Sequence, residues 1–174
     1  EVAVAIIKEI AAAIGYAHKK QIPIPGYNGV LHLDIKPSNI LISNYGKIKV
    51  IDYGISQGSK EDRMDQIVGS LMYMAPEQLQ LDSTLDHRTD IYALGVLLHQ
   101  MLTGTTPYSS KDSKDEIIRK IQNEPLERLI TIYPHVDNRL QKIIDIATSK
   151  NSDKRFKNCE AFINSLEEID HATN

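Results

Sequence analysis

The sequence predicts a mainly α-helical fold with one small β-hairpin element. Three observations carry that expectation. Apolar residues recur at helical spacing near the start, at Ala3, Ile6, Ile7, Ile10, Ile14 and Ala17. Two β-like runs, ILIS at 40–43 and KIKVI at 47–51, are separated by Asn44, Tyr45 and Gly46, a hairpin-sized turn. Residues 89–103 are apolar on nearly every side and stop at Gly104, the pattern of a central buried helix closed by a glycine cap.

Taken in order, the first helix covers residues 1–20 and ends where QIPIPGYNG begins, because Pro and Gly cannot continue it. A third β-like run, VLH at 30–32, follows before the hairpin. Residues 54–74 are polar and irregular and read as a long loop. Beyond them the chain turns helical, with amphipathic helices expected near 112–123, 137–148 and 159–169. Pro125 and Pro134 fall in the gap between the first two. No internal repeat or low-complexity tract interrupts this layout.

The bulk numbers narrow the function classes. A chain of 174 residues suffices for one domain with its own core. A net charge of −3 argues against a general nucleic-acid-binding surface. Cys159 is the single cysteine, so no internal disulfide forms, nothing points to an oxidising compartment, and a cytoplasmic setting is expected. The longest apolar run, IYALGVLLHQML, is too short for a bilayer span and reads as a buried helix. The opening EVAVAIIKEI lacks a starting Met and a basic leader, so it is no signal peptide; it begins in mid-helix and reads as part of a longer polypeptide.

The chemistry concentrates in HLDIKPSN at 32–39 and IDYG at 51–54. Moving a phosphoryl group requires an oriented hydroxyl and metal ions held against phosphate oxygens. Asp34 is a carboxylate placed to accept the hydroxyl proton. Lys36, two residues on, can set an ammonium against the transferring phosphate. Asn39 offers a neutral hard oxygen to Mg²⁺, and Asp52, at the end of the second strand, offers a charged one. The hairpin between them lets both ligands converge, and Gly54 permits a sharp turn just past Asp52. Each piece alone is weak; the order HxDxKxxN, hairpin, DxG is what counts.

These residues resemble a known family. HLDIKPSNIL looks like the catalytic loop of eukaryotic-type (Hanks-type) serine/threonine protein kinases, and IDYG looks like their DFG motif with Tyr53 for Phe. GSLMYMAPEQL at 69–79 is similar to the close of the activation segment. Residues 89–108 resemble the central helix and its exit, and SDKRF at 152–156 resembles the late DPxxRF element. Lys36 and Pro37 resemble the serine/threonine class, and the YMAPEQ and RFxxxExF spellings are similar to bacterial members.

The resemblance implies a protein-kinase-like C-terminal lobe over 1–174, half of an α+β two-lobe fold. Its catalytic loop would run over 30–41, its activation segment over 52–77 and its central helix over 89–103. It implies ATP and Mg²⁺ as cofactors and a protein Ser/Thr acceptor as partner. Asp34 would be the base, Lys36 the phosphate contact, and Asn39 and Asp52 the metal ligands. Leu41 would lie beneath the adenine, and Ser70 and Tyr73 would shape the floor for the acceptor. His32 and Tyr53 would stack, Asp90 would hold the catalytic-loop backbone, and Glu77 would pair with Arg155.

Two departures stand out. Leu33 replaces the Arg that commonly pairs with an activation-loop phosphate, and Leu makes no charge-assisted bond. Ser56, Ser59 and Ser70 remain as hydroxyls, the first two reading as ordinary loop serines. The sequence also contains no GxGxxG loop and no VAxK strand, the parts of the family's N-terminal lobe. Two other readings are a catalytically inactive kinase-like scaffold and a small-molecule phosphotransferase. The latter class usually lacks both the Lys after the base and the APE segment. His18, His87, His99, His135 and His171 show no metal-ligand spacing and read as surface or core histidines, Cys159 as a small buried hydrophobe, and Asp82 and Asp86 as turn or cap residues.

Overall fold

A computed structural model describes residues 1–20, 29–53, 70–109 and 111–171. In chain order these form α1 (Val2–Lys19), β1 (Ile40–Ile42), β2 (Ile48–Val50), α2 (His87–Thr103), α3 (Lys114–Asn123), α4 (Leu129–Ile132), α5 (Asn138–Ala147) and α6 (Cys159–His171). Short 3₁₀ turns occur at Pro37–Asn39, Leu71–Tyr73, Pro76–Leu79 and Ser152–Lys154.

Helix α2 is the axis of the molecule. Asp86 caps its start by accepting the Arg88 N–H at 2.7 Å. Gly104, with φ of 72°, ends it in the left-handed region that glycine reaches without steric cost. Ile91, Leu94, Val96 and Leu98 are all fully buried, because α1, α4 and α5 pack around this helix. Helix α1 turns Val4, Ile7, Ile10, Ala11, Ile14 and Ala17 inward, the stripe its spacing predicts. Helix α6 closes the bundle by packing on both α1 and α5.

The two strands form an antiparallel hairpin with Ile40 opposite Val50 and Ile42 opposite Ile48. Its turn is held by Ser43, whose Oγ accepts the N–H groups of Tyr45 and Lys47. The hairpin packs against α1 through β2.

The expected strand at VLH does not form. The N–H groups of His32 and Leu33 donate to the Asp90 carboxylate instead of a neighbouring strand, and Leu33 has φ of 63°, which breaks the extended run. Helix α3 begins after its Ser113 cap, slightly later than the sequence pattern places it, and α5 begins after Asp137. The single-turn helix α4 is not foreseen by the sequence reading. Among the described residues no helix is long and apolar enough to cross a membrane. Gly54, Ser56 and Ser59 and most of the expected loop lie outside the described residues, as do residues 21–28.

Candidate active site

The site is built on Asp90, in the first turn of α2, whose side chain is fully buried. A carboxylate removed from water must have its oxygens satisfied by donors. Oδ1 accepts the Leu33 N–H at 2.7 Å, and Oδ2 accepts the His32 N–H at 2.8 Å. From the other side, Gln78 Nε2 donates to the Leu33 carbonyl at 2.9 Å, while its Oε1 accepts the Ala75 N–H. Leu33 is thus tied at both its N–H and its carbonyl. A left-handed conformation costs a non-glycine residue about 1–3 kcal/mol and persists only where neighbours over-determine it, as they do here. Beyond this turn Ile35 enters the core while Asp34 stays partly exposed.

Asp34 is held by its own loop. Its Oδ2 lies 2.8 Å from Lys36 Nζ and 3.1 Å from Asn39 Nδ2. Asn39 Nδ2 also donates to the Asp34 carbonyl at 2.8 Å. The Asn39 amide nitrogen is therefore committed to Asp34, which leaves its Oδ1 as the atom able to face a cation. Asn39 sits in the 3₁₀ turn, buried, with its carbonyl accepting the Ile51 N–H at 3.0 Å. Lys36 Nζ donates in addition to Ser70 Oγ at 2.6 Å, joining the loop to the segment that leads into the Leu71–Tyr73 turn.

His32 couples this loop to the second strand's exit. Its Nδ1 accepts the Asp34 N–H at 3.3 Å, and its Nε2 lies 3.0 Å from the Ile51 carbonyl. An N–H can only donate and a carbonyl can only accept, so the ring is the neutral tautomer carrying its proton on Nε2. Ile51 immediately precedes Asp52, an exposed carboxylate whose φ is 57°. The ring of Tyr53 lies 4.7 Å from that of His32, centroid to centroid.

A second group anchors the 75–79 segment. Arg155 forms a fork with Glu77, Nη1 to Oε1 at 2.6 Å and Nη2 to Oε2 at 2.8 Å, and Thr89 Oγ1 donates to the same Oε1. Burial pushes the Glu77 carboxyl up, but the hydrogen bonds and charge of Arg155 outweigh it and hold the group below its usual range. Arg155 further donates to the carbonyls of Ser149 and Arg88 and stacks over Tyr92. Tyr73 is buried and its hydroxyl donates to Gln100 Oε1 on α2.

The structure therefore brings His32, Asp34, Lys36, Asn39, Ser70 and Asp90 into one hydrogen-bonded group, with Tyr53 against His32. Glu77, Thr89 and Arg155 form a second group on the same end of α2. Leu41 stands on β1 with half its surface open, at 50% exposure. Two residues that the sequence reading gave no role join the site: Gln78, and His18, whose Nε2 lies 2.7 Å from Asp90 Oδ2. The sequence does carry a faint signal for His18, which falls four residues after Ile14 on the buried stripe of α1.

Comparison with known proteins gives a consistent result. The family model described as protein kinase domain matches residues 1–167. The chain is 34% identical over 161 residues to the probable serine/threonine-protein kinase PknB of Lactococcus lactis, covering 91% of this chain and 24% of that protein. It is 32% identical over 172 residues to a probable serine/threonine-protein kinase of Clostridium perfringens, covering 97% of this chain and 24% of that one. It is 33% identical over 157 residues to the serine/threonine-protein kinase PknH of Mycobacterium bovis, covering 88% and 25%. The chain thus spans about a quarter of the length of the curated relatives it matches.

Proposed function

We propose, from the premise that this chain belongs to the protein kinase domain family, that the intact protein transfers the γ-phosphoryl group of ATP to Ser or Thr hydroxyls of proteins. The observation that carries this reading is the Asp34 carboxylate, gripped by Lys36 and Asn39 on a loop whose backbone is clamped to buried Asp90.

In this reading Asp34 takes the proton of the attacking hydroxyl and orients it, a role that suits a half-exposed carboxylate on an immobilised loop. Lys36, already paired to Asp34 and Ser70, lies where the transferring phosphate would approach and holds its charge. Asn39 Oδ1 and the exposed Asp52 are hard oxygen donors of the kind Mg²⁺ takes when phosphates supply further ligands. The ion, when bound, would neutralise charge on the phosphate oxygens. His32 keeps Asp34 and Asp52 in register through its two ring nitrogens. Leu41 offers an apolar floor to the adenine, and Ser70 and Tyr73 support the segment against which an acceptor peptide would lie. The roof of the nucleotide site, with its Gly-rich loop and lysine, is assigned to a lobe outside these residues; relatives about four times as long support that assignment. We place the activity in the cytoplasm, in keeping with a single buried thiol and no disulfide.

The test is Asp34→Asn in the intact protein. Phosphate incorporation into a Ser/Thr peptide should fall by about 10²–10⁴-fold, the usual contribution of a positioned base, while nucleotide binding persists. Activity surviving the change would remove Asp34 from its assigned role.

A further inference from the structure

We propose that Lys150 is a nucleophilic lysine and a modification site, whose Nζ accepts an acyl group from small acyl phosphates. The inference stands apart from the kinase reading above and rests on how the fold holds one amine.

Lys150 lies between α5 and the Ser152–Lys154 turn. Its side chain is partly buried against the ring of Tyr92, with Nζ 5.4 Å from the centroid and donating to the Tyr92 hydroxyl at 3.2 Å. The Arg155 guanidinium lies over the same ring at 4.9 Å, and its Nη2 reaches the Lys150 carbonyl at 3.4 Å. Two cations thus share one ring, and Glu77 is forked to the other of them, Arg155. Lys19, Lys36 and Lys120 each meet a carboxylate, at 3.2, 2.8 and 2.7 Å. Lys150 forms no ion pair among the described residues; its Nζ meets a neutral hydroxyl instead. Glu124, the carboxylate that acts on it from the end of α3, is itself bound by Arg119 at 2.7 Å. Burial raises Tyr92 and its neighbour Tyr108 above the ordinary phenol value, so neither supplies an anion at neutral pH.

A half-buried ammonium beside a second cation is disfavoured, and losing its proton removes the conflict. Burial first, and the Arg155 charge second, pull the Lys150 ammonium down to about 8. At about pH 7.5 its neutral fraction is on the order of a hundredfold above that of an ordinary lysine. Desolvation and a neighbouring cation are the two means by which a lysine amine becomes a nucleophile, and both act here. An N–H held on the Tyr92 hydroxyl fixes the amine, and tetrahedral geometry then sets its lone pair away from that bond. In the step, the lone pair attacks the carbonyl carbon of the acyl phosphate. The N–C bond forms, the C–O bond to phosphate breaks, phosphate leaves with the electron pair, and a proton passes from Nζ to solvent. Partial burial favours a small donor, and Lys154, Arg155 and Lys157 close by in the chain favour an anionic one. The product amide keeps an N–H for Tyr92 and sets no charge against Arg155, so the fork to Glu77 stays in place.

The experiment treats the intact protein with acetyl phosphate from about pH 6.5 to about pH 9.5 and follows each lysine by peptide mass spectrometry, with an unstructured lysine peptide as reference. At about pH 7.5 Lys150 should react about tenfold faster than the exposed Lys47 and Lys142, since a less basic amine gives back part of its advantage in neutral fraction. Its rate should level off above about pH 8, while that of the peptide keeps rising. In urea sufficient to unfold the chain, the advantage should vanish. Lys150→Arg should remove the fast site and leave the other lysines as they were. A Lys150 rate no faster than that of Lys47, or a profile that rises like that of the peptide, overturns the proposal. So does an advantage that survives in urea, because sequence neighbours and not the fold would then cause it. A fast site that persists in Lys150→Arg overturns the assignment to this residue.

Discussion

His99 is buried on α2 with its Nε2 donating to the Glu127 carbonyl at 2.8 Å, while its Nδ1, also buried, has no hydrogen-bond partner among the described residues. Protonating Nδ1 would place a cation where nothing accepts its hydrogen. Burial accordingly holds the imidazole below its ordinary value of 6.5, with the Glu127 carbonyl opposing only in part. A lowered value in the folded state means that the unfolded chain binds more protons below that ordinary value. Stability from this group is therefore present above it and is lost as pH falls. The urea midpoint should drop between about pH 7.5 and about pH 5.5, and His99→Gln, which keeps a donor and cannot titrate, should flatten that drop. Equal losses in both proteins would assign the acid sensitivity elsewhere. Glu77 and Asp86 do not confuse the window, because their carboxyls are held below 4.5 and 3.8. At this scale the sequence was legible where the chemistry is local: Lys36 and Asn39 both contact Asp34 within six residues. It was not legible where a side chain finds its partner across the fold. His18 meets Asp90 72 positions away, and Gln78 meets Leu33 45 positions away.

Elements were readable where periodicity had room to repeat. Helices α1, α3, α5 and α6 each show an apolar stripe, α2 is apolar on nearly every side, and Asp86, Ser113 and Asp137 mark three of the starts through their caps. Helix α4 is one turn long, too short to display a period, and depends on Gln141 accepting the Leu129 N–H at 2.6 Å. The VLH run looks like a strand because it opens on β-branched Val30 and apolar Leu31, yet the Val30 amide goes to the Ala17 carbonyl and the amides of His32 and the next residue, Leu33, go to Asp90; composition cannot report where a hydrogen bond goes. How α2 packs on α5 was equally hidden. A Cβ on Gly95 would lie 2.7 Å from Ala147 Cβ and 2.8 Å from Thr148 Cγ2, so only glycine permits the two helices their present approach. Gly95→Ala should destabilise the fold by about 1–3 kcal/mol, the usual cost of overpacking, despite alanine's better helix propensity. Chemical denaturation measures it. Adding Ala147→Gly should restore part of the loss, whereas no coupling between the two changes would mean that the contact is not what resists the methyl.

For the molecule as a whole, the order of motifs made the fold class legible at once, and the hairpin and central helix follow it. What that order does not supply, in the reading proposed above, is a covering face for the nucleotide. Leu41 is a large apolar side chain on β1, yet 50% of its surface remains open. An adenine resting there would lose water from one face only, so about half of the apolar burial of an enclosed pocket is available. The phosphates would meet Lys36, Asn39 and Asp52 from below without opposing donors. Each 1.4 kcal/mol forgone weakens binding about tenfold. Residues 1–174 alone should therefore bind MgATP at least about a hundredfold more weakly than the intact protein, which calorimetry on both can measure. They should also transfer phosphate negligibly, even with Asp34 and its loop in place. Equal affinity in the two would mean that the nucleotide is held from these residues alone, and the assignment of the roof to another lobe would fail. A large difference, with Leu41→Asp weakening the intact protein as well, would place the adenine between the hairpin and a covering surface.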